Sequence, residues 1–146
     1  MKLNMDCIRD ILLCVEKNTS LRQRCCFMDE EQMEAVCCAM GEDEEAIPRY
    51  QEELQERRGY TNEMLFYHVR YCEDAELIRT ERNSSTYKIV VSDLTVKGHE
   101  FTANIRETKN WKAVKSVLKS AGSMAMEAAI EAAKAVVSAS VQKYLG

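Results

Sequence analysis

Cysteine and histidine are the residues of this chain best suited to metal chemistry. Adjacent cysteine pairs occur at 25–26 and 37–38, and His68 precedes Cys72 by one helical turn, which puts both on one helix face. Structural zinc sites usually draw on C-x-x-C or H-x-x-x-H spacings, whereas neighbouring cysteines point apart. Zinc remains an alternative. We predict no metal and no cofactor, with the cysteines as buried free thiols.

Side chains that could perform catalysis are sparse. The two histidines, His68 and His99, are far apart in the sequence, and no Gly-rich phosphate loop, nucleophile elbow or H-E-x-x-H pattern occurs. A histidine on an apolar helix face is more often a hydrogen-bonded core residue than a catalyst. We therefore expect a binding protein and not an enzyme.

Several basic and phenolic side chains between residues 61 and 88 could contact DNA. Arginine reaches guanine edges or phosphate, and tyrosine hydroxyls reach phosphate. Glu63 and Asp74 lie on the same stretch, and their negative charge would repel the phosphate backbone of DNA. The candidate nucleic-acid contacts are Tyr67, Arg70, Tyr71, Arg79, Arg82 and Lys88.

Charge is distributed unevenly along the chain. The net charge is −4, yet residues 1–100 hold 13 Lys/Arg against 21 Asp/Glu, while residues 101–146 hold 7 against 3. An acidic front does not attract DNA through its mean field, so DNA binding would depend on a local patch.

The period of the apolar residues predicts four helices in the front half of the chain. The first carries a stripe that ends near Asn18, with Asn4 or Asp6 as its cap, and the extended stretch LRQRCCF follows it. The other three are a helix at about 29–40, a short helix RYQEELQERR closed by Gly59, and a helix at 61–76.

A period of two replaces the helical period from Leu77 onward. LIRTER, a turn at NSS and TYKIVVSD predict a β-hairpin, in which Ile89 and Val91 alternate with Val90. LTVKGHEFTANIR then predicts a helix capped by Thr95, and we expect its Gly98 to abut the first helix. The fold class is mainly α with a small β-hairpin: a winged helix-turn-helix core plus C-terminal helices. We predict a domain at 1–108 and a helical extension at 109–146.

The apolar pattern of the extension predicts two helices. The first begins at an Asn110 cap and buries Trp111, while the second spans 123–145 and is rich in alanine. It is long for a core of this size, so we expect part of it to project and to form a homodimer; folding back onto its own domain is the alternative. The candidate oligomerisation residues are Met126, Ile130, Ala133, Val137 and Val141.

The N-terminal stretch also bears on location. Charged residues such as Arg9 and Asp10 interrupt it, which does not fit a secretory leader, and no uninterrupted apolar run approaches about 20 residues. We expect a reducing, cytoplasmic location and no membrane span.

Several blocks of this sequence resemble a known family. CCFMD, PRYQEEL, YTNEMLFYHVRYC, SDLTVKGHEFTANIR and KNWKAVK are similar to the domain-of-unknown-function family 2513 of bacteria and prophages. The resemblance implies a winged-helix-like fold and mobile-element ancestry, but no activity. EDAELI also resembles the E-A-G-L-I of winged-helix regulators, with Glu76 in the glycine position, so the helix either ends in a strained left-handed cap or continues.

Two functions follow as hypotheses. The first is binding of double-stranded DNA as a dimer, with the 61–76 helix in the major groove and the hairpin on the flanking backbone. The second is a protein-interaction module that docks on a host or phage protein.

Overall fold

The computed structural model describes residues 1–82 and 85–146, and two compact units divide these residues: Met1–Thr95 and Val96–Gly146. Within the described residues the first unit contains α1 (Met5–Asn18), β1 (Cys25–Met28), α2 (Glu30–Met40), α3 (Arg49–Arg58), α4 (Asn62–Asp74), β2 (Ile78–Thr80) and β3 (Lys88–Leu94). The second contains α5 (Val96–Ile105), α6 (Thr108–Ala121) and α7 (Met126–Leu145). The protein is mainly helical with a small antiparallel sheet. The predicted domain division at 108–109 stays a prediction, and α5 groups with the two helices that follow it.

Side-chain caps set the beginnings of three helices, and Asn4 is one of the two caps predicted for the first helix. Asn4 accepts a hydrogen bond from the Cys7 N–H, Asp29 from Gln32, and Thr61 from Met64, at 3.1, 3.3 and 3.1 Å. These bonds satisfy N–H groups that have no partner inside the helix. The helix expected at about 29–40 is present as α2.

The sheet has three strands in the order β1-β3-β2, and all pairs are antiparallel. The predicted hairpin is correct in part: β2 and β3 pair, but β1 adds a third strand on the other side of β3. The expected alternation along β3 is wrong at Val90, because Ile89, Val90 and Val91 are all buried. A central strand that is covered on both faces has a continuous run of apolar residues instead of an alternating pattern. The predicted NSS turn falls mainly on residues 83 and 84, outside the described part of the chain.

Two side chains of α3 cover the outer edge of β1. The Tyr50 hydroxyl accepts a hydrogen bond from the Cys26 N–H at 2.6 Å and donates one to the Cys26 carbonyl at 2.8 Å. The Gln51 amide does the same for Met28, at 2.9 and 2.7 Å. The two side chains thus take the hydrogen bonds that a neighbouring strand would otherwise make. Burial raises the pKa of the Tyr50 hydroxyl, so it remains a donor.

The core of the first unit lies between its helices and the sheet. Helix α1 packs against α4 and β3, and α4 also packs against β1 and β2. The largest side chains buried in this unit are Ile8, Ile11, Leu12, Phe27, Leu65, Leu77, Ile89 and Leu94. A smaller cluster joins β1 to α2 through Met28, Met33 and Cys37, with Ile47 and Tyr87 packed against it.

Helix α4 ends in a left-handed residue that is not glycine. Glu76 has φ 59°, the Glu76 N–H donates to the Glu73 carbonyl, and the Leu77 N–H donates to the Cys72 carbonyl, both at 2.9 Å. This pair of bonds is the Schellman motif, whose left-handed position usually holds glycine. Of the two predicted alternatives, the strained cap is therefore correct.

The second unit is a set of three helices in which α7 packs against both α5 and α6. The predicted burial of Trp111 is confirmed, but the Asn110 cap is wrong, because α6 begins at Thr108 with Glu107 as its cap residue. Gly98 is buried in α5. It does not face solvent, and its expected contact with the first helix stays a prediction.

Within residues 1–82 and 85–146, no helix combines enough length with enough apolar character to span a membrane.

Candidate nucleic-acid interface

Helix α4 has one buried face and one exposed face. Leu65, Val69 and Cys72 are fully buried, whereas Tyr67 is 45% exposed and Arg70 is exposed. The helical period therefore places these two candidate contacts on the outer surface of α4. Tyr71 is half-buried.

Arg70 is held against its own helix and the segment before β3. Its guanidinium lies 5.0 Å from the centre of the Phe66 ring, and Nη2 donates to the carbonyls of Ser85 and Thr86 at 3.4 and 3.5 Å. The long distances mean weak bonds, so the guanidinium keeps donors for another acceptor. Arg70 links α4 to the β2–β3 connection.

The three candidate cations of the hairpin differ in their surroundings. Arg79 and Arg82 are exposed, and Arg79 lies opposite Asp93 in the strand register. Lys88 is half-buried, and its Nζ donates to Glu45 Oε2 at 2.8 Å. This bond raises the pKa of Lys88 and ties its charge to the acidic segment between α2 and α3. Only two of these cations are thus presented to solvent.

Acidic side chains share the outer surface of α4. Glu63 and Asp74 are exposed near the two ends of the helix, and Glu76 is exposed just after it. Their negative charge repels phosphate, so the surface has mixed character and not the continuous basic stripe of a strong DNA-binding helix.

His68 is a core residue. It is fully buried, its Nε2 accepts a hydrogen bond from the Asn4 N–H at 2.8 Å, and its Nδ1 lies 2.7 Å from the Met64 carbonyl. Both contacts are satisfied by the neutral ring with the proton on Nδ1, which then donates to Met64. The expectation of a hydrogen-bonded core histidine is confirmed.

The adjacent cysteines do not converge. Cys25 is buried on β1 while Cys26 is half-buried, and Cys37 is buried on α2 while Cys38 is exposed. Across residues 1–82 and 85–146, no group of three or more histidine, cysteine or acidic side chains is arranged to hold a metal ion. Burial also raises the pKa of the Cys7 thiol to about 12 and that of Cys72 further, so both stay protonated near neutral pH.

The five candidate oligomerisation residues on α7 range from buried to half-exposed. Met126 and Ala133 are buried, Ile130 and Val137 are half-buried, and Val141 is 50% exposed. The first half of α7 therefore belongs to the core of the second unit, where it packs against α5 and α6. Its last turns carry apolar side chains in solvent, since Tyr144 and Leu145 are 95% and 84% exposed.

Sequence reasoning missed an ion pair between buried Asp10 and exposed Arg58, and a groove beside it. Asp10 is buried in α1, where it accepts a hydrogen bond from the Tyr60 hydroxyl at 2.6 Å and pairs with Arg58 Nε at 3.1 Å. A groove lies beside this pair, between α1 and α3. At 100° per residue, Asp10 lies on the side of α1 away from the predicted apolar stripe, so the helical period gave no signal that it is buried.

Comparison with known proteins places the chain in one family. No curated protein and no solved structure matched it. Residues 2–124 match the family described as "Hypothetical protein (DUF2513)", which is the family that the sequence blocks resemble. Because the match covers most of the 146 residues, the chain belongs to this family.

Proposed function

We propose that Met1–Thr95 is a winged-helix module that binds double-stranded DNA, with α4 as the recognition helix and β2–β3 as the wing. The observation that carries this proposal is the order of the elements, α3 and α4 followed by β2 and β3, together with the sheet order β1-β3-β2. In helix-turn-helix proteins, the second helix of the pair enters the major groove. The mobile-element origin implied by the sequence resemblance remains part of the proposal.

Three exposed arginines support the proposal that this surface binds DNA. Arg70, Arg79 and Arg82 are exposed, and within the described part of the chain none of them forms an ion pair. Arginines that are not neutralised can release counterions from the phosphate backbone on binding. Lys88 contributes only after its bond to Glu45 breaks, so we assign it a smaller role.

The test measures retention on mixed-sequence duplex DNA as salt is raised. We expect retention to fall steeply with salt and to be lost in the Arg70→Ala plus Arg82→Ala variant at salt concentrations that still retain the unaltered chain. At lower salt, where the variant still binds, its salt slope should be smaller by about 2. The matched control is Lys17→Ala plus Arg57→Ala, which removes the same charge from α1 and α3. Equal loss in both variants would show an effect of net charge alone and reject the α4 surface.

Docking on another protein is the second candidate, and the acidic side chains of α4 favour it. Glu63 and Asp74 are exposed on the helix that would enter the groove. A protein surface with complementary cations accepts such a mixed face more readily than DNA does. Absence of DNA retention even at low salt would replace the first proposal with this one.

A further inference from the structure

A groove lies between α1 and α3 in the first unit, and none of the side chains proposed to contact DNA lines it. Its volume is about 420 Å³. Pockets for small organic ligands fall in the range of about 300–1,000 Å³. The groove is therefore large enough for a small molecule.

Positive charge dominates the groove although the front of the chain is acidic. Four cations and two carboxylates line it: Lys17, Arg49, Arg57, Arg58, Asp10 and Glu53. Each carboxylate already has a partner, since Asp10 and Glu53 pair with Arg58 and Arg49, both at 3.1 Å. Among the described residues no carboxylate pairs with Lys17 or Arg57. Two cations are thus left facing the groove.

The rest of the groove wall is less polar. Leu13 and Leu54 are half-buried in it, and Cys14 is 9% exposed. The Asn18 amide donates to the Cys14 carbonyl at 2.8 Å and lies 3.5 Å from its sulfur, so it is already occupied. An occupant consequently meets apolar carbon and sulfur on one part of the wall and unpaired cations on another.

We propose that this groove binds a small organic anion whose carboxylate, sulfonate or phosphate group contacts Lys17 and Arg57 and whose apolar body lies on Leu13 and Leu54. Charge complementarity selects the anionic group, because a cationic ligand would meet uncompensated positive charge. Desolvation of the leucines favours an aromatic or aliphatic body. The site is separate from the proposed DNA surface.

The probe for this site is anilinonaphthalene sulfonate, a small aromatic anion, titrated into the full chain and followed by backbone amide NMR. We expect saturable shifts at residues 13–18 and 49–58. Shifts confined to the exposed end of α7, or no saturable shifts, would overturn the proposal. Shifts caused by an acidic peptide but not by the sulfonate would overturn it as well, in favour of a peptide groove.

A pair of variants separates the groove from general electrostatics. Lys17→Ala plus Arg57→Ala should weaken probe binding about tenfold, since both side chains are exposed and the fold does not depend on them. Arg70→Ala plus Arg82→Ala should leave the probe affinity unchanged. Equal affinities for the two variants would refute the role of Lys17 and Arg57. The Lys17→Ala plus Arg57→Ala variant should still bind DNA, so the two proposals can fail independently.

Discussion

At the scale of the residue, Glu76 occupies a backbone conformation that suits glycine. Its φ is 59°, and two Schellman hydrogen bonds hold it there. A β-carbon in the left-handed region costs about 1–2 kcal/mol, because it approaches the following carbonyl oxygen. The stability lost at this position can therefore be recovered by one substitution.

Glu76→Gly should raise the free energy of unfolding by about 0.5–1 kcal/mol, less than the full strain because glycine also gains entropy in the unfolded chain. The midpoint of thermal unfolding should rise by about 2 °C, measured by circular dichroism. Glu76→Ala is the control, since it removes the charge but keeps the β-carbon. Equal gains in both variants would attribute the effect to charge.

At the scale of the element, α3 protects the sheet edge through Gln51. The Gln51 side chain is 1% exposed and bonds both backbone groups of Met28. Gln51→Leu leaves that N–H and carbonyl buried without partners, so we expect a loss of about 2–3 kcal/mol. Chemical denaturation measures the loss.

Gln55→Leu, on the same helix, is the matched control for Gln51→Leu. Its side chain is half-buried and makes no hydrogen bond within the described part of the chain. The control should change stability by less than about 0.5 kcal/mol. A similar loss in both variants would mean that leucine on α3, and not the open strand edge, is responsible.

The caps and apolar stripes of the helices could be predicted because they are local. Asn4, Asp29 and Thr61 act within four residues of themselves, and the period of α4 exposes Tyr67 and Arg70. The extended stretch LRQRCCF was predicted, but the pairing of its CCF part with β3 could not be. The β1 sequence CCFM lacks β-branched residues, and its partner Lys88–Leu94 lies far along the chain. The Lys88–Glu45 pair could not be predicted either, because its two residues are far apart in the sequence and Glu45 belongs to an irregular segment.

At the scale of the whole molecule, α7 divides into a buried first half and an exposed end. We expect the full chain to be a dimer by light scattering and a version ending at Ser138 to be a monomer, because it lacks the apolar Val141, Tyr144 and Leu145. Met126 and Ala133 remain in this version, so the core is kept. A monomeric full chain would refute the dimer, and a dimeric short version would place the interface elsewhere.

The central position of β3 also determines when the first unit can fold during synthesis. Both β1 and β2 pair with β3. Until Leu94 has left the ribosome, neither strand has its sheet partner, although the helices α1, α3 and α4 are already complete in sequence. Tyr50 and Gln51 emerge much earlier and can already bond the outer edge of β1. A nascent chain that stalls before Lys88 would expose the inner edge of β1 and the whole of β2, and it would become a substrate for chaperones.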